Sequence, residues 1–375
     1  MADDYKVPYT TIKNISPHEG ADRLEVAWVY GFQVVVPKGK YKIGDNVLYV
    51  PIDSILPSKL EAKLFPADAK IKLHNSRVRQ IRIRKLASQG MLIDTSDLAD
   101  FVNIKKINLE DNLAEVLQIT KYEPPQAGPA QTMGSGKQRN KKSDHPNFHK
   151  YNGLSNIKWF PDLFQPGEEV IIQEKLHGTN ARASVLPFVP NTFWKKVKKF
   201  LRIAPTIEKC YGSNNVEISA KTDYKGFYGE DLYGSTFNKM DVFNKLKLGE
   251  TIFGEIIGPS IQKGYTYGLT EARFVLFDVK ILNPDGSQMW LSPEAVEKFA
   301  KERGLEYVPV LFRGGFDKDQ AYALTKGNSV YDPKQKVREG IVIKAKDGYD
   351  VGGNKKAVKW VSEAYLDDAS NTDFH

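Results

Sequence analysis

The sequence predicts an α+β protein of two domains: a small N-terminal β-barrel, then a larger domain whose buried strands carry charged residues. Three observations predict it. Short alternating strands broken by turn residues fill residues 1–120. A basic stretch with almost no apolar residue occupies 121–150. Beyond it, several short apolar segments read as buried strands with a charge in their middle or at their end. A chain of 375 residues has room for two domains.

In the N-terminal part, Leu24 to Tyr30, Phe32 to Val36, Asn46 to Val50 and Val78 to Ile83 alternate as half-buried strands do. The run from Arg77 to Lys85 also reads as a strand and sets out Arg77, Arg79, Arg82 and Arg84. Those cations either follow a phosphate backbone or form a solubilising barrel face, and alternation alone does not separate the two. The formal net charge of +8 favours a polyanionic partner. Phosphate contacts of this kind make binding fall steeply with salt.

The segment 121–150 holds Pro124, Pro125, Gly128, Pro129, Gly134 and Gly136, then Lys137, Arg139, Lys141 and Lys142. It buries little, so a flexible basic linker is expected there, one that lets the domains close around a substrate. Its Gly134-Ser135-Gly136-Lys137-Gln138 run lacks the Ser/Thr after lysine and the preceding strand that a phosphate loop needs.

In the part after the linker, Phe193 to Arg202 places apolar residues at 193, 194, 197, 200 and 201 on one helical face and cations on the other. Such a helix offers lysines to a substrate, lies on a membrane surface, or packs as an insert on its own domain; the last is expected. Cys210 is the single cysteine, so no intrachain disulfide forms, and the cytoplasm or another reducing intracellular compartment fits. The six histidines show no zinc spacing: His145 and His149 are four apart, but Pro146 argues against a helix that would join them. No signal peptide, spanning segment or obligate protein partner is evident.

The densest chemistry lies in Glu174-Lys175-Leu176-His177-Gly178-Thr179-Asn180, straight after the apolar Val170, Ile171 and Ile172. A lysine is a weak nucleophile at its ordinary pKa of about 10.4, and a dry pocket with other cations activates it. Three segments follow: Phe253 to Pro259 around Glu255, Arg273 to Val279 with Phe277 and Asp278, and Glu339 to Lys344. A charge inside such a strand is costly unless paired or in contact with a ligand, so the segments point to one shared polar pocket.

In this order they resemble motifs I, III, IIIa and IV of the covalent nucleotidyltransferase superfamily of ATP-dependent ligases and capping enzymes. His177 in the first motif is similar to the RNA ligases; DNA ligases usually carry aspartate there. The stretch Gly258 to Gly264 is similar to the nick-sealing phage-type RNA ligases. The resemblance spans roughly residues 150–362. Ile15 to Val26 and Ser88 to Leu92 resemble parts of tRNA-binding OB-fold domains. Only 15 residues follow Trp360, so no C-terminal OB domain is expected, and the arrangement resembles the Deinococcus-type RNA ligases.

The resemblance implies an OB-like nucleic-acid-binding domain over 1–120. It also implies a nucleotidyltransferase (ATP-grasp-like ligase) domain of antiparallel sheets with flanking helices over 151–375. Lys175 is then the nucleophile that takes AMP from ATP, passes it to the 5′-phosphate of a nick and lets the 3′-OH displace it. Lys344 and Lys359 neutralise moving phosphate charge. Glu174, His177, Asn180, Glu255, Phe277 and Glu339 bind ATP: Glu255 through the ribose, Phe277 by stacking on adenine, Glu174 beside it. Glu339 and Asp278 hold a metal, with magnesium expected and manganese possible in its place. Nicked duplex RNA or an RNA–DNA hybrid is the implied partner, with RNA repair the implied context. Two positions depart from the family pattern: Val361 stands where a second lysine often follows Lys359, with Lys356 a possible substitute, and Asn214 stands where an arginine often follows serine. Two alternatives stay open. Another nucleotidyltransferase, a guanylyltransferase or DNA ligase, is opposed by His177 and by the missing C-terminal domain. A non-catalytic RNA-binding protein with a degenerate ligase domain is opposed by the complete set Lys175, Glu255, Glu339, Lys344 and Lys359.

Overall fold

A computed structural model describes residues 5–66, 68–69, 72–122, 145–219, 228–349 and 355–367. The N-terminal part is built from β1 (Tyr9–Thr11), β2 (Asn14–Pro17), β3 (Leu24–Val29), β4 (Phe32–Pro37), β5 (Asn46–Val50), β6 (Ser54–Ile55), α1 (Ser58–Leu64), β7 (Arg77–Val78), β8 (Ile81–Ile83), β9 (Leu86–Ser88), β10 (Met91–Asp94), α2 (Thr95–Leu98) and β11 (Thr120–Lys121). They form the three-stranded sheets β1-β5-β10, β2-β3-β4 and β11-β6-β7 and the hairpin β8-β9. Alternation drives the barrel: Val34 and Val36 of β4 and Ala27 and Val29 of β3 turn inward on Tyr49. Leu48 and Val50 of β5 face a second cluster with Leu60 and Ile93.

The predicted strand from Val78 to Ile83 is broken. Arg77–Val78 pairs with β6, whereas Ile81–Ile83 pairs with Leu86–Ser88. Between these last two, Arg84 and Lys85 take φ of +47° and +74° and form a tight hairpin turn.

The second part is formed by β12 (Glu169–Lys175), β13 (Thr179–Pro187), α3 (Phe193–Phe200), β14 (Ile207–Ser213), α4 (Leu232–Lys239), α5 (Val242–Lys245), β15 (Glu250–Ile257), β16 (Arg273–Leu282), β17 (Gln288–Trp290), α6 (Pro293–Arg303), β18 (Val310–Gly315), α7 (Lys318–Leu324), β19 (Gly340–Tyr349), β20 (Lys355–Val361) and α8 (Glu363–Asp367). Two antiparallel sheets result, in the orders β18-β12-β19-β20 and β14-β13-β15-β16-β17. The fold is α+β. Helices cover the outer faces: Phe237 of α4 and Val296 and Phe299 of α6 pack with Ile252, Phe274 and Leu276 of the five-stranded sheet. Burying each such side chain contributes about 1.5–3 kcal/mol. The start and end of α6 follow from its sequence, with Ser292 capping Ala295 N–H, Pro293 in the first turn and Gly304 left-handed at its end.

The insert α3 departs from expectation. Thr192 caps it, but most of its apolar face is open: Phe193 and Trp194 are 73% exposed and Phe200 86%, with Val197 alone partly buried. The helix sits beyond the far end of the β13-β14 hairpin, closed by the Phe188 N–H to Thr206 C=O bond, where the sheet core no longer reaches it. Among the described residues, no helix is long and apolar enough to cross a membrane.

The expected linker falls largely in 123–144, outside the described residues. Residues 145–150 pack on the second part: the His145 N–H donates to Glu217, and Phe148 is buried with Leu186. The two parts dock directly. Trp159 inserts its ring among Tyr30, Phe32 and Tyr49, and Gly31 N–H donates to Lys158 C=O at 2.7 Å. A Cβ on Gly31 would lie 2.9 Å from the Lys158 Cα, so this approach requires glycine.

Candidate active site

Strand register places the predicted charges. Ile172, Ile343 and Val358 face one core, as do Ile341 and Trp360. The opposite face of the same sheet therefore presents Lys175, Lys344 and Lys359. On the five-stranded sheet, Ala181, Ile252 and Leu276 face the other core, so Asn180, Glu255 and Asp278 turn toward the first sheet. A register shift between Phe253 and Gly254 leaves Phe277 as the extra residue of a bulge, with its ring beside Tyr151 at 5.0 Å. The polar faces of the two sheets thus oppose each other, bridged by Lys344 and Asp278, and the space between them is the candidate cleft.

Lys175 sits at the end of β12, 28% exposed by its side chain, with Nζ 2.5 Å from Glu339 Oε1. Glu339 is buried, and its Oε2 has no hydrogen-bond partner among the described residues; the same holds for Asn180 Oδ1. Burial pushes the Glu255 carboxyl up to about 8, Lys175 draws it down and Glu339 adds to the rise, which places Glu255 beside the pair. Gly178 lets the turn after Lys175 pass this close to β15, since a Cβ there would meet Ile256 C=O at 2.3 Å.

His177 is enclosed by tyrosines. Its backbone N–H donates to Tyr267 Oη at 2.7 Å, and its ring meets Tyr265 and Tyr365 edge-on at 4.8 and 5.3 Å. Burial, with Lys175 adding to it, pushes the imidazole down to about 3, so it is neutral at physiological pH. Its Nδ1 lies 3.8 Å from Glu339 Oε2.

Three predicted residues, Glu174, Asp278 and Lys344, are occupied differently from expectation. Glu174 alternates onto the face away from the cleft, and its Oε2 accepts from Val330 and Tyr331 N–H at 2.7 and 3.2 Å. It pins a loop, and its carboxylate is not on the cleft face. Asp278, expected at a metal, has both oxygens taken: Oδ1 by Lys344 at 2.9 Å, Oδ2 by Lys355 and by Tyr151 Oη. Lys344 also donates to Phe277 C=O at 2.7 Å and is 2% exposed, so it holds the two sheets together. Lys359 stays partly exposed on the cleft face, in register with Val342 and Gln173. Lys356 points the other way, to Glu168 at 2.6 Å, so the second cation on the cleft side of β20 is Lys355. Burial pushes Lys355 down to about 8. With Lys280, Gln288 and Trp290 it lines a cavity of about 590 Å³. Asn214 Oδ1 accepts from Tyr151 N–H at 2.8 Å.

Among the described residues no group of His, Cys, Asp and Glu forms a ready metal cage. The unpartnered Glu339 Oε2 near Glu255 does fit a hard cation held mainly by water and phosphate oxygens.

The arginine run splits. Arg77 is buried, 2.7 Å from Asp53 and stacked 3.6 Å from the Tyr122 centroid, and so is a scaffold residue. Arg79 is partly buried, Arg82 is paired with Asp367, and Arg84 is exposed at the hairpin tip. His18, from the tRNA-binding-like segment, bridges Gly20 N–H and Ile83 C=O, which ties that loop to the hairpin.

Sequence reasoning missed Tyr151, Lys355, Tyr265, Tyr267 and Tyr365. The Tyr265-Thr266-Tyr267 run was the one visible signal, two phenol hydroxyls close together in a loop near the motifs.

A family model described as RNA ligase matches residues 168–361, and one described as an OB-fold domain matches 7–95. A comparison with curated protein sequences finds no match. Among solved structures, a Naegleria gruberi RNA ligase variant with ATP and Mn aligns at 21% identity and a TM-score of 0.72, over 98% of this chain and 100% of that one. The Naegleria gruberi RNA ligase with PPi aligns at 22% and 0.72, over 97% and 98%. An apo variant of that enzyme aligns at 22% and 0.73, over 99% and 100%. At these identities the likeness is one of fold.

Proposed function

The chain belongs to the RNA ligase family, and from that premise we propose that it is an ATP-dependent enzyme sealing 3′-OH/5′-phosphate nicks in duplex RNA or an RNA–DNA hybrid, in RNA repair. The supporting observation is the Lys175–Glu339 pair, opposite Glu255 and Asn180 on the facing sheet.

In the first step Lys175 Nζ attacks the α-phosphorus of ATP. An N–P bond forms, the bond to the bridging oxygen breaks, and pyrophosphate leaves. Glu339 Oε1, already on Nζ, accepts the proton that the amine sheds. The neutral His177 beside it adds no competing positive charge. Glu255, protonated near neutral pH, donates a hydrogen bond to the nucleotide sugar, and Phe277 offers its ring to adenine. The AMP then moves to the 5′-phosphate of the nick, and the 3′-OH displaces it, forming the phosphodiester and releasing AMP. Lys359 on the cleft face stabilises the charge on the phosphates. Magnesium, or manganese in its place, would be held by Glu339 through water and would neutralise phosphate charge. The Naegleria enzyme's structures with ATP and Mn and with PPi fit this chemistry.

The test is sealing of a 5′-labelled nick in duplex RNA. Wild type converts it to full-length strand and Lys175→Ala does not. Equal sealing by the variant removes Lys175 from the chemistry, and sealing of DNA nicks alone removes RNA as the substrate.

A further inference from the structure

The cluster of Lys175, Glu339 and His177 is supported from behind by α8, and α8 is gripped by the N-terminal domain. With five residues, α8 is too short to hold a position through its own hydrogen bonds. On its inner side Ser362 N–H donates to Glu339 C=O at 2.8 Å. Tyr365 is fully buried among Leu176, Tyr265 and Tyr267, with its hydroxyl 3.3 Å from both ring nitrogens of His177. On its outer side, Arg82 Nε and Nη2 reach Asp367 Oδ2 at 2.6 and 2.5 Å. Gln80 Nε2 donates to Asp367 Oδ1 at 2.8 Å and to Glu363 C=O at 3.2 Å. Gln80 is itself anchored by Gln89, in the next turn of the same barrel.

We propose that this contact is a latch: the β8-β9 hairpin of the N-terminal domain holds α8, and α8 holds Tyr365 against His177, so that Tyr365 is a positioning residue for AMP transfer to Lys175. The inference rests on the Lys175 reading above. It gives the barrel a part in the nucleotide step, before any RNA is present. A paired Arg–carboxylate contact suits this, since its geometry is directional where a simple apolar contact is not. Tyr365 acts through His177 and Glu339 and touches no reacting atom.

The experiment is the single-turnover rate of AMP uptake by the full chain at saturating ATP and magnesium, without RNA, so that no RNA contact of Arg82 enters. Arg82→Glu and Asp367→Arg each slow uptake about 3- to 10-fold, a range expected for coupling through a support residue. The double variant with both changes restores the pair reversed and recovers near wild-type uptake, which a general loss of folding would not. Tyr365→Phe keeps the packing, slows uptake to a similar degree, and adds no further loss to Asp367→Arg. Single variants that label at the wild-type rate, or a charge swap that recovers nothing, overturn the latch. A wild type that takes up no AMP overturns the Lys175 reading instead, a separate result.

Discussion

Lys344 on the four-stranded sheet and Asp278 on the five-stranded sheet form an ion pair of 2.9 Å, each side chain 3% exposed, across the cleft that would hold the nucleotide. Lys355 donates to the other Asp278 oxygen, so one carboxylate carries two lysines. Removing one partner of a buried pair leaves uncompensated charge and costs about 3–5 kcal/mol. Asp278→Asn therefore lowers the unfolding free energy by about that much, read as a fall in the urea midpoint at unchanged slope. A midpoint equal to wild type would show that the pair does not hold the sheets.

Glu255 gives the cleft a pH signature. Burial lifts its carboxyl to about 8 from an ordinary 4.5. Between those values the folded chain keeps a proton that the unfolded chain has lost, so this group's contribution to stability is present below 4.5 and lost as pH rises toward 8. Glu255→Gln removes that loss: relative to wild type, the variant gains roughly 3–4 kcal/mol between pH 5 and pH 8. Parallel stability curves for the two proteins would place the titration elsewhere.

Gly31 tests the docking of the two domains. A methyl group there meets Lys158 backbone atoms at 2.9 and 3.0 Å. Gly31→Ala should cost about 1–3 kcal/mol and increase the radius of gyration measured by X-ray scattering. An unchanged radius and midpoint would mean that the Trp159 contact suffices. Direct docking also tempers the expectation of free closure about a linker, because Trp159 and the Gly31–Lys158 bond join the domains without it.

Arg77 and Arg84 separate scaffold from surface. Arg77→Ala breaks the buried pair with Asp53 and should lower stability by about 3 kcal/mol. Arg84→Ala, at the exposed turn, should leave the fold intact, weaken nicked-RNA binding, and reduce the slope of log affinity against log salt by about 1. An Arg84→Ala slope equal to wild type would remove the hairpin tip from the RNA surface.

Much of the cleft was legible because strand alternation is local. In Glu174-Lys175, adjacent residues must take opposite faces, and Ile172 buried in the core fixes which one Lys175 takes. Glu255 between Gly254 and Ile256 follows the same rule. What stayed hidden depends on distant pairing. Lys344 and Lys355 meet Asp278 from 66 and 77 residues away, and Tyr365 reaches His177 from 188 away, and no local period encodes such encounters. The Arg77 to Lys85 run misled for a related reason. Its alternation is real, but the turn at Arg84 and Lys85 and the Asp53 carboxylate divide it among different sheets and partners.

The role of Lys175 is read most simply from the intact mass of the chain after incubation with magnesium and ATP, following treatment with pyrophosphate to strip any AMP already bound. With Lys175 as the nucleophile, the chain gains one AMP with ATP, and none with GTP or in Lys175→Ala. No gain with ATP, or the same gain in Lys175→Ala, would remove Lys175 from the nucleotide step.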